Sequence, residues 1–205
     1  MTGYKLVNLK MLVDAMGENK AKEILSHFSC PLNPDVNDFL HRKAIEFSMH
    51  GWAQTHLVFA SYKDAPVLVG YFSLANKQIV VSDSKHHSLG QTLKKRIREF
   101  STFDDRTRSY YLSAPLLAQL GKNFANGYNN LITGDELLKL ACDKIQEVQL
   151  AVGGRFAYVE CEDKPKLVQF YTRNGFVAFD RRELDRDEVS TLDGEYLIQL
   201  LRKFK

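Results

Sequence analysis

The chain has 205 residues, 44% of them hydrophobic and 26% charged, an ordinary globular composition that excludes a disordered chain, a collagen and a coiled coil. That length predicts roughly one domain and a third, enough to bury roughly 70% of the unfolded surface without staples. A net charge of +3, from 28 basic and 25 acidic residues, is too near balance to declare a nucleic-acid binder from composition.

Residues 4–9 suit a strand or the lead-in to a helix, and residues 18–28 a short helix. Pro31 and Pro34 make 29–34 a turn. Val36, Phe39, Leu40, Ala44 and Phe47 recur at helical spacing and predict one amphipathic helix over 35–50, ended by Gly51. Two β-like runs, 56–62 and 66–73, flank the turn Lys63-Asp64-Ala65, and the second continues through 78–81. A short basic helix is expected within 82–109, then a strand at 110–122 and a loop at 123–131. Leu137, Leu138, Ala141, Ile145 and Val148 mark the core face of a helix over 134–148. A strand at 155–160, a helix at 164–173 and strands at 176–179 and 196–201 complete the chain.

Antiparallel strands followed by strand–helix–strand–helix–strand predict an α/β (α+β) fold, a mixed sheet with helices packed on it. No linker, repeat or low-complexity tract appears. A single domain over 1–205 is expected, with an N-terminal extension over about 1–30 and a basic insertion over about 82–109. Cys30, Cys142 and Cys161 form no C-x-x-C pair, so reduced thiols are expected and neither a disulfide framework nor a metal-ligand spacing is visible. No basic segment followed by a long apolar run opens the chain, and no apolar run reaches the ~18 residues of a membrane span. A cytoplasmic protein without membrane contact is expected.

Two segments are chemically informative. Thr133 with Glu136 is a capping box that marks a helix start after the polar loop Asn126-Gly127-Tyr128-Asn129-Asn130. A strand, a polar loop and a helix N-terminus make a place where backbone N–H groups meet an anion, although Asp135 and Glu136 oppose one there. The second segment runs from Val159 to Phe176. Asp163 suits a helix cap, Pro165 the first turn, and Asn174-Gly175 the stop. By packing alone, Phe170 would sit in the core and Tyr171 at its edge.

Phe170-Tyr171-x-x-Asn174-Gly175-Phe176, after a strand and an Asp-led turn, resembles motif B of the GCN5-related N-acetyltransferases (GNAT). Leu32-Asn33-x-x-Val36-x-x-Phe39-Leu40, Val69-Gly70-Tyr71-Phe72-Ser73-Leu74 and Leu117-Ala118-Gln119-Leu120-Gly121-Lys122-Asn123 are similar in particular to the acetyltransferase toxins of bacterial toxin–antitoxin pairs. The resemblance covers most of the chain. It implies a mostly antiparallel central sheet, splayed in the middle, with helices on both faces.

The resemblance also implies acetyl-CoA as the cofactor. Leu120 and Lys122 would supply main-chain contacts, and Gly121 would allow a bulge that opens the sheet. Asn129, Asn130, Leu131, Ile132, Thr133 and Gly134 would cradle the pyrophosphate, and Asp163 and Phe170 would line the other side. Tyr171 matches the tyrosine that protonates the departing thiolate; a phenol with a pKa of about 10 carries that proton at neutral pH. Glu160 is either a base acting through water or a solvated strand-end carboxylate. His86 and His87 read as exposed loop histidines. One departure stands out: Ile132 occupies the place of the family's first loop glycine, and an isoleucine disfavours φ > 0.

Lys94, Lys95, Arg96 and Arg98 crowd one short stretch, and residues 85–108 hold seven basic against three acidic side chains. With Arg42 and Lys43 they are the candidate surface for a nucleic acid, or else solvated charges with no partner. The toxin-like relatives acetylate the amino acid carried on a tRNA. The resemblance therefore implies a primary-amine acceptor, aminoacyl-tRNA among the candidates, together with an antitoxin partner and a homodimer. The alternatives are transfer to a small-molecule or protein amine, or a non-catalytic protein that keeps the fold for binding.

Overall fold

The structure is a computed structural model that describes residues 3–186, 188–189, 192 and 194–204. In chain order it contains β1 (Tyr4–Asn8), α1 (Leu9–Met16), α2 (Glu18–Ser26), α3 (Pro34–Asp38), a π-helical turn (Phe39–Lys43), α4 (Ala44–His50), β2 (Gln54–Tyr62), β3 (Ala65–Ser82), α5 (Asp83–Ser88) and α6 (Gln91–Phe100). There follow β4 (Thr102–Asp104), β5 (Ser109–Lys122), a 3-10 segment (Ala125–Leu131), α7 (Gly134–Val152), β6 (Phe156–Glu162), α8 (Pro165–Arg173), β7 (Val177–Glu183) and β8 (Tyr196–Lys203).

Eight strands form one sheet in the order β1-β2-β3-β5-β6-β8-β7, with β4 paired to β5. Their pairings are antiparallel between β1 and β2, β2 and β3, β4 and β5, β6 and β8, and β7 and β8, and parallel between β5 and β6. This is the mixed sheet that the element order predicted, and it is mostly antiparallel as the resemblance implied. Among the described residues β5 and β6 are partners at one position, Leu116 with Tyr158, at the strand pair where the sheet was expected to open. The chain divides into two compact units, one of residues 1–75, 117–144 and 185–193, the other of 76–116, 145–184 and 194–205.

In the first unit Asn8 ends β1 and caps α1 by accepting from the Met11 N–H, so the ambiguous 4–9 segment is a strand that turns directly into a helix. The continuous helix predicted over 35–50 is instead α3, a π turn and α4. Asn33 caps α3 through the Val36 N–H, with Pro34 in its first turn. The wider π turn adds a residue and still leaves Phe39, Leu40 and Ala44 in the interior. They pack with Leu9, Leu25, Phe28, Leu57 and Tyr71 in one core. Tyr71 is fully buried, and its hydroxyl donates to the Val36 carbonyl at 2.6 Å, docking β3 on α3.

The second unit has its own core of Ile79, Val81, Leu93, Ile97, Tyr110, Leu112, Phe156, Tyr158, Phe179 and Leu201. The basic insertion holds two helices rather than one. Ser82 caps α5 by accepting from the Lys85 N–H, and a fresh start at Gly90 opens α6. Leu93 and Ile97, one turn apart, bury one face of α6 and leave Lys95 and Arg98 exposed.

Gly121 and Gly70 are glycines for reasons of space. A Cβ on Gly121 would lie 2.3 Å from Val36 Cγ1, and one on Gly70 would lie 2.8 Å from the Gly121 carbonyl oxygen. Gly121→Ala is therefore expected to force α3 off β5 and cost about 1–3 kcal/mol, read as a lowered urea midpoint with an unchanged slope.

Candidate functional site

The first unit carries the loop that follows β5. Asn123 closes the strand. Its side chain is fully buried and donates to the carbonyls of His27 (2.9 Å) and Leu68 (2.8 Å) while accepting from the N–H groups of Ser29 (2.9 Å) and Ala125 (3.0 Å). The chain then turns through Asn126 and Gly127, both at positive φ.

Beyond that turn the loop is tied back by its carbonyls. Lys122 Nζ donates to Asn129 O at 2.9 Å and to Ile132 O at 3.1 Å, and the Tyr4 hydroxyl donates to Leu131 O at 3.0 Å. The capping box forms as read. The Thr133 N–H and hydroxyl donate to Glu136 Oε2 at 2.8 and 2.7 Å, and the Glu136 N–H donates to Thr133 Oγ1 at 3.1 Å. The Thr133 hydroxyl, then its N–H, hold the Glu136 carboxyl below the usual carboxylate range against the opposing effect of burial, with Tyr4 and Lys122 adding less.

Ile132 sits in this loop at φ −146° and ψ 138°, an extended conformation, with its side chain 2% exposed. The objection that isoleucine disfavours φ > 0 therefore does not apply, because the backbone does not ask for it there. Leu120, Lys122 and residues 129–134 all belong to this one unit.

The second unit carries the other candidates. Asp163 is exposed and is not the cap of α8. That position falls to Lys164, whose side chain makes no cap bond, and Pro165 opens the helix. The two aromatic residues exchange their expected places. Tyr171 is buried at 6% exposure, edge-on to Phe170 (5.1 Å) and Phe176 (5.7 Å), whereas Phe170 is half-buried beneath the Arg173 guanidinium.

Glu160 is neither solvated nor unattached. One oxygen accepts from Arg182 Nη2 at 2.9 Å and the other from the Tyr158 hydroxyl, which also accepts from Gln199 Nε2 at 2.7 Å. Burial acts to raise the Glu160 carboxyl, but the Arg182 and Tyr158 hydrogen bonds and the charges of Arg182 and Lys77 outweigh it and hold the group below its ordinary value. Burial, then the Glu160 hydrogen bond and charge, push the Tyr158 phenol far up. Burial, then the charges of Asp163 and Glu162, push the Cys161 thiol up to about 12, which disfavours a thiolate there.

Of the basic candidates, Arg42 pairs with Asp38 at 3.0 Å and Lys43 is exposed, both in the first unit. Lys95 and Arg98 are exposed, and Lys94 and Arg96 half-buried, in the second. His86 and His87 both lie in α5 rather than in a loop; His87 is exposed as expected, but His86 is fully buried. Sequence reasoning missed Tyr4, Tyr158, Arg182 and Gln199. The one local signal was the alternation of Tyr158, Glu160 and Glu162 along β6.

No family model matches the chain, and no curated protein is significantly similar to it in sequence. Solved structures match it closely in fold. AtaT complexed with acetyl-methionyl-tRNAfMet is 15% identical at a TM-score of 0.60, the match covering 95% of this chain and 93% of that one. A Tyr→Phe mutant of KacT is 15% identical at 0.61, covering 96% and 94%. AtaTR bound with acetyl-CoA is 16% identical at 0.54, covering 97% and 93%. The chain has the fold of AtaT, KacT and AtaTR. The central strand, loop, long helix and tyrosine-bearing helix thus stand in the order the resemblance implied.

Two outcomes follow from the geometry. Ile132→Gly should not improve anion binding by the loop and should lose about 2–4 kcal/mol of stability to the cavity it leaves, measured by urea unfolding. A carboxyl held below its unfolded value adds stability that is present above that value, about 4.3, and lost as pH falls through the lower folded one. The urea midpoint of the wild type should accordingly fall more steeply below about pH 4.3 than that of Glu160→Gln, which is the less stable of the two at pH 7.

Proposed function

We propose that the chain is an acetyl-CoA-dependent N-acetyltransferase that moves an acetyl group to a primary amine, and that the amine is the amino acid of an aminoacyl-tRNA. The observation that carries the first part is the loop after β5. Its carbonyls at 129, 131 and 132 are drawn to Lys122 and Tyr4, which holds the segment in one shape ahead of the α7 start. Backbone N–H groups next to a helix N-terminus suit a pyrophosphate. The buried Ile132 side chain does not stand in their way. AtaTR, of the same fold, is solved bound with acetyl-CoA.

Leu120, Lys122, residues 129–134, Asp163 and Phe170 would hold the cofactor. Acetyl-CoA supplies the activated acetyl thioester. Tyr171 carries a phenolic proton to hand to the leaving thiolate, and its burial between Phe170 and Phe176 restricts where the hydroxyl can point. Glu160 supports the strand rather than taking a proton, because both its oxygens already accept hydrogen bonds and its carboxyl is held low. An α-amino group with a pKa near 8 has a sizeable neutral fraction at pH 7, so a strong base is not required.

The tRNA part rests on two observations. The exposed Lys95 and Arg98 lie on α6 in a segment with a basic excess, and AtaT, of the same fold, is solved complexed with acetyl-methionyl-tRNAfMet. An antitoxin partner belongs to the same reading.

Calorimetry with acetyl-CoA and acetylation of charged tRNA test this. Wild type should bind acetyl-CoA and acetylate the aminoacyl end. Tyr171→Phe should keep the binding and lose about a hundredfold or more in turnover. Lys95→Glu with Arg98→Glu should weaken tRNA binding and flatten its salt dependence by about one unit per lost phosphate contact. Acetyl-CoA binding with turnover only on small or protein amines would replace the acceptor, and no acetyl-CoA binding at all would overturn the enzyme reading.

A further inference from the structure

One turn of α5 carries Asp83, His86 and His87, and one donor atom from each lies within 4.8 Å of the other two. None of them has a part in the transferase reading. His86 is fully buried, with the Tyr110 ring 4.3 Å from its own. Its Nε2 lies 3.1 Å from the Lys94 carbonyl oxygen. A carbonyl only accepts, so Nε2 carries the ring proton and Nδ1 is left with a lone pair. That Nδ1 is buried and has no hydrogen-bond partner among the described residues. A buried acceptor without a donor is costly, and a cation is one thing that satisfies it.

The neighbours are arranged as a ligand set needs them. Asp83 Oδ2 accepts from Arg108 Nη2, while Oδ1 is 3.4 Å from His87 Nδ1. The Asp83 N–H is fixed on the Arg108 carbonyl at 2.8 Å, so the turn is pinned at its first residue. His87 Nδ1 lies 2.7 Å from the Asp83 carbonyl, which orients that ring as well, and the side chain is exposed. Ligating histidines typically give their second ring N–H to a carbonyl, and ligating carboxylates are themselves hydrogen-bonded. His86, through Nε2 on the Lys94 carbonyl, and Asp83, through Arg108, have such support here.

We propose that Asp83, His86 and His87 bind a divalent transition-metal ion, through one Asp83 carboxylate oxygen, His86 Nδ1 and a ring nitrogen of His87. Two imidazoles and a carboxylate favour Zn2+ and similar borderline ions over Mg2+ or Ca2+, which take oxygen ligands. The exposed side at His87 leaves a position for water. The ion would tie α5 to α6 through the Lys94 carbonyl and to the turn just before β5 through Arg108. It would brace the basic insertion, and it stands whether or not the chain acetylates tRNA.

The test uses the untagged full chain after treatment with a chelator, titrated with Zn2+ by calorimetry and with Co2+ by absorption. One equivalent of Zn2+ should bind, with Mg2+ failing to compete. The Co2+ adduct should show ligand-field bands without thiolate charge transfer. His87→Ala, at an exposed side chain, and Asp83→Asn, which keeps the shape of a half-buried one, should each weaken binding about tenfold or more with circular dichroism unchanged. His86→Ala is not the deciding variant, since a buried side chain is lost with it. Absence of Zn2+ binding, a thiolate band, or an affinity that His87→Ala and Asp83→Asn leave unchanged would each overturn the proposal.

Discussion

The fully buried carboxamide of Asn123 makes every hydrogen bond open to it: two donated, to His27 and Leu68, and two accepted, from Ser29 and Ala125. Its own N–H adds a bond to Val69 O at 2.9 Å. One side chain thereby fixes the end of β5 against β3, against the segment between α2 and α3, and against the first residue of the 3-10 turn. Buried polar groups are tolerated only when paired, so few other arrangements of these segments satisfy all the partners at once. The preceding residue, Lys122, inherits that rigidity, and its ammonium reaches loop carbonyls seven and ten residues ahead.

This explains how a loop keeps its shape without a glycine at 132. A glycine-rich loop reaches unusual φ values at an entropic cost. Here left-handed φ is confined to Asn126 and Gly127, and shape is held by side chains gripping carbonyls. The same arrangement has an electrostatic consequence. Glu136 already accepts from the Thr133 N–H and hydroxyl, so the donors at the start of α7 are partly spoken for by an internal anion held in its charged form. A diphosphate bound as proposed above would meet that charge and Asp135 as well as the helix dipole. Such binding would depend on the shape that Lys122 holds more than on net positive charge.

What the residues disclosed in advance follows from locality. Period-2 and period-3.6 runs placed most strands and helices, and Thr133 with Glu136 gave the α7 start because both partners lie three residues apart. What stayed hidden was either short or distant. Helix α1 depends on one cap at Asn8, and the π turn interrupts a periodicity that otherwise reads as one helix. Glu160 looked like a strand-end carboxylate because its partners, Arg182 and Gln199, are 22 and 39 residues further on. Lys164 rather than Asp163 caps α8 because the Lys164 N–H turns back to Glu162 O at 2.7 Å, which carries the start of the helix past the aspartate.

The Phe-Tyr-x-x-Asn-Gly-Phe signature has a mechanical reading beyond resemblance. Asn174 Nδ2 donates to Phe170 O at 2.9 Å, and Gly175 takes φ 83°, a conformation that suits glycine. The chain then reverses so that the N–H groups of Asn174 and Phe176 both reach Tyr171 O, at 3.1 and 3.2 Å. That reversal sets the Phe176 ring edge-on to Tyr171, with Phe170 on another side. The helix stop and the aromatic contacts converge on one residue, whose backbone and ring are both clamped. In the transfer proposed above a proton donor would gain from being held in place before the reaction begins, and this spacing holds Tyr171. The aromatic pair is inverted relative to simple packing, with the smaller exposure going to the residue that bears the hydroxyl, because the clamp closes on Tyr171 and leaves Phe170 at the surface under Arg173.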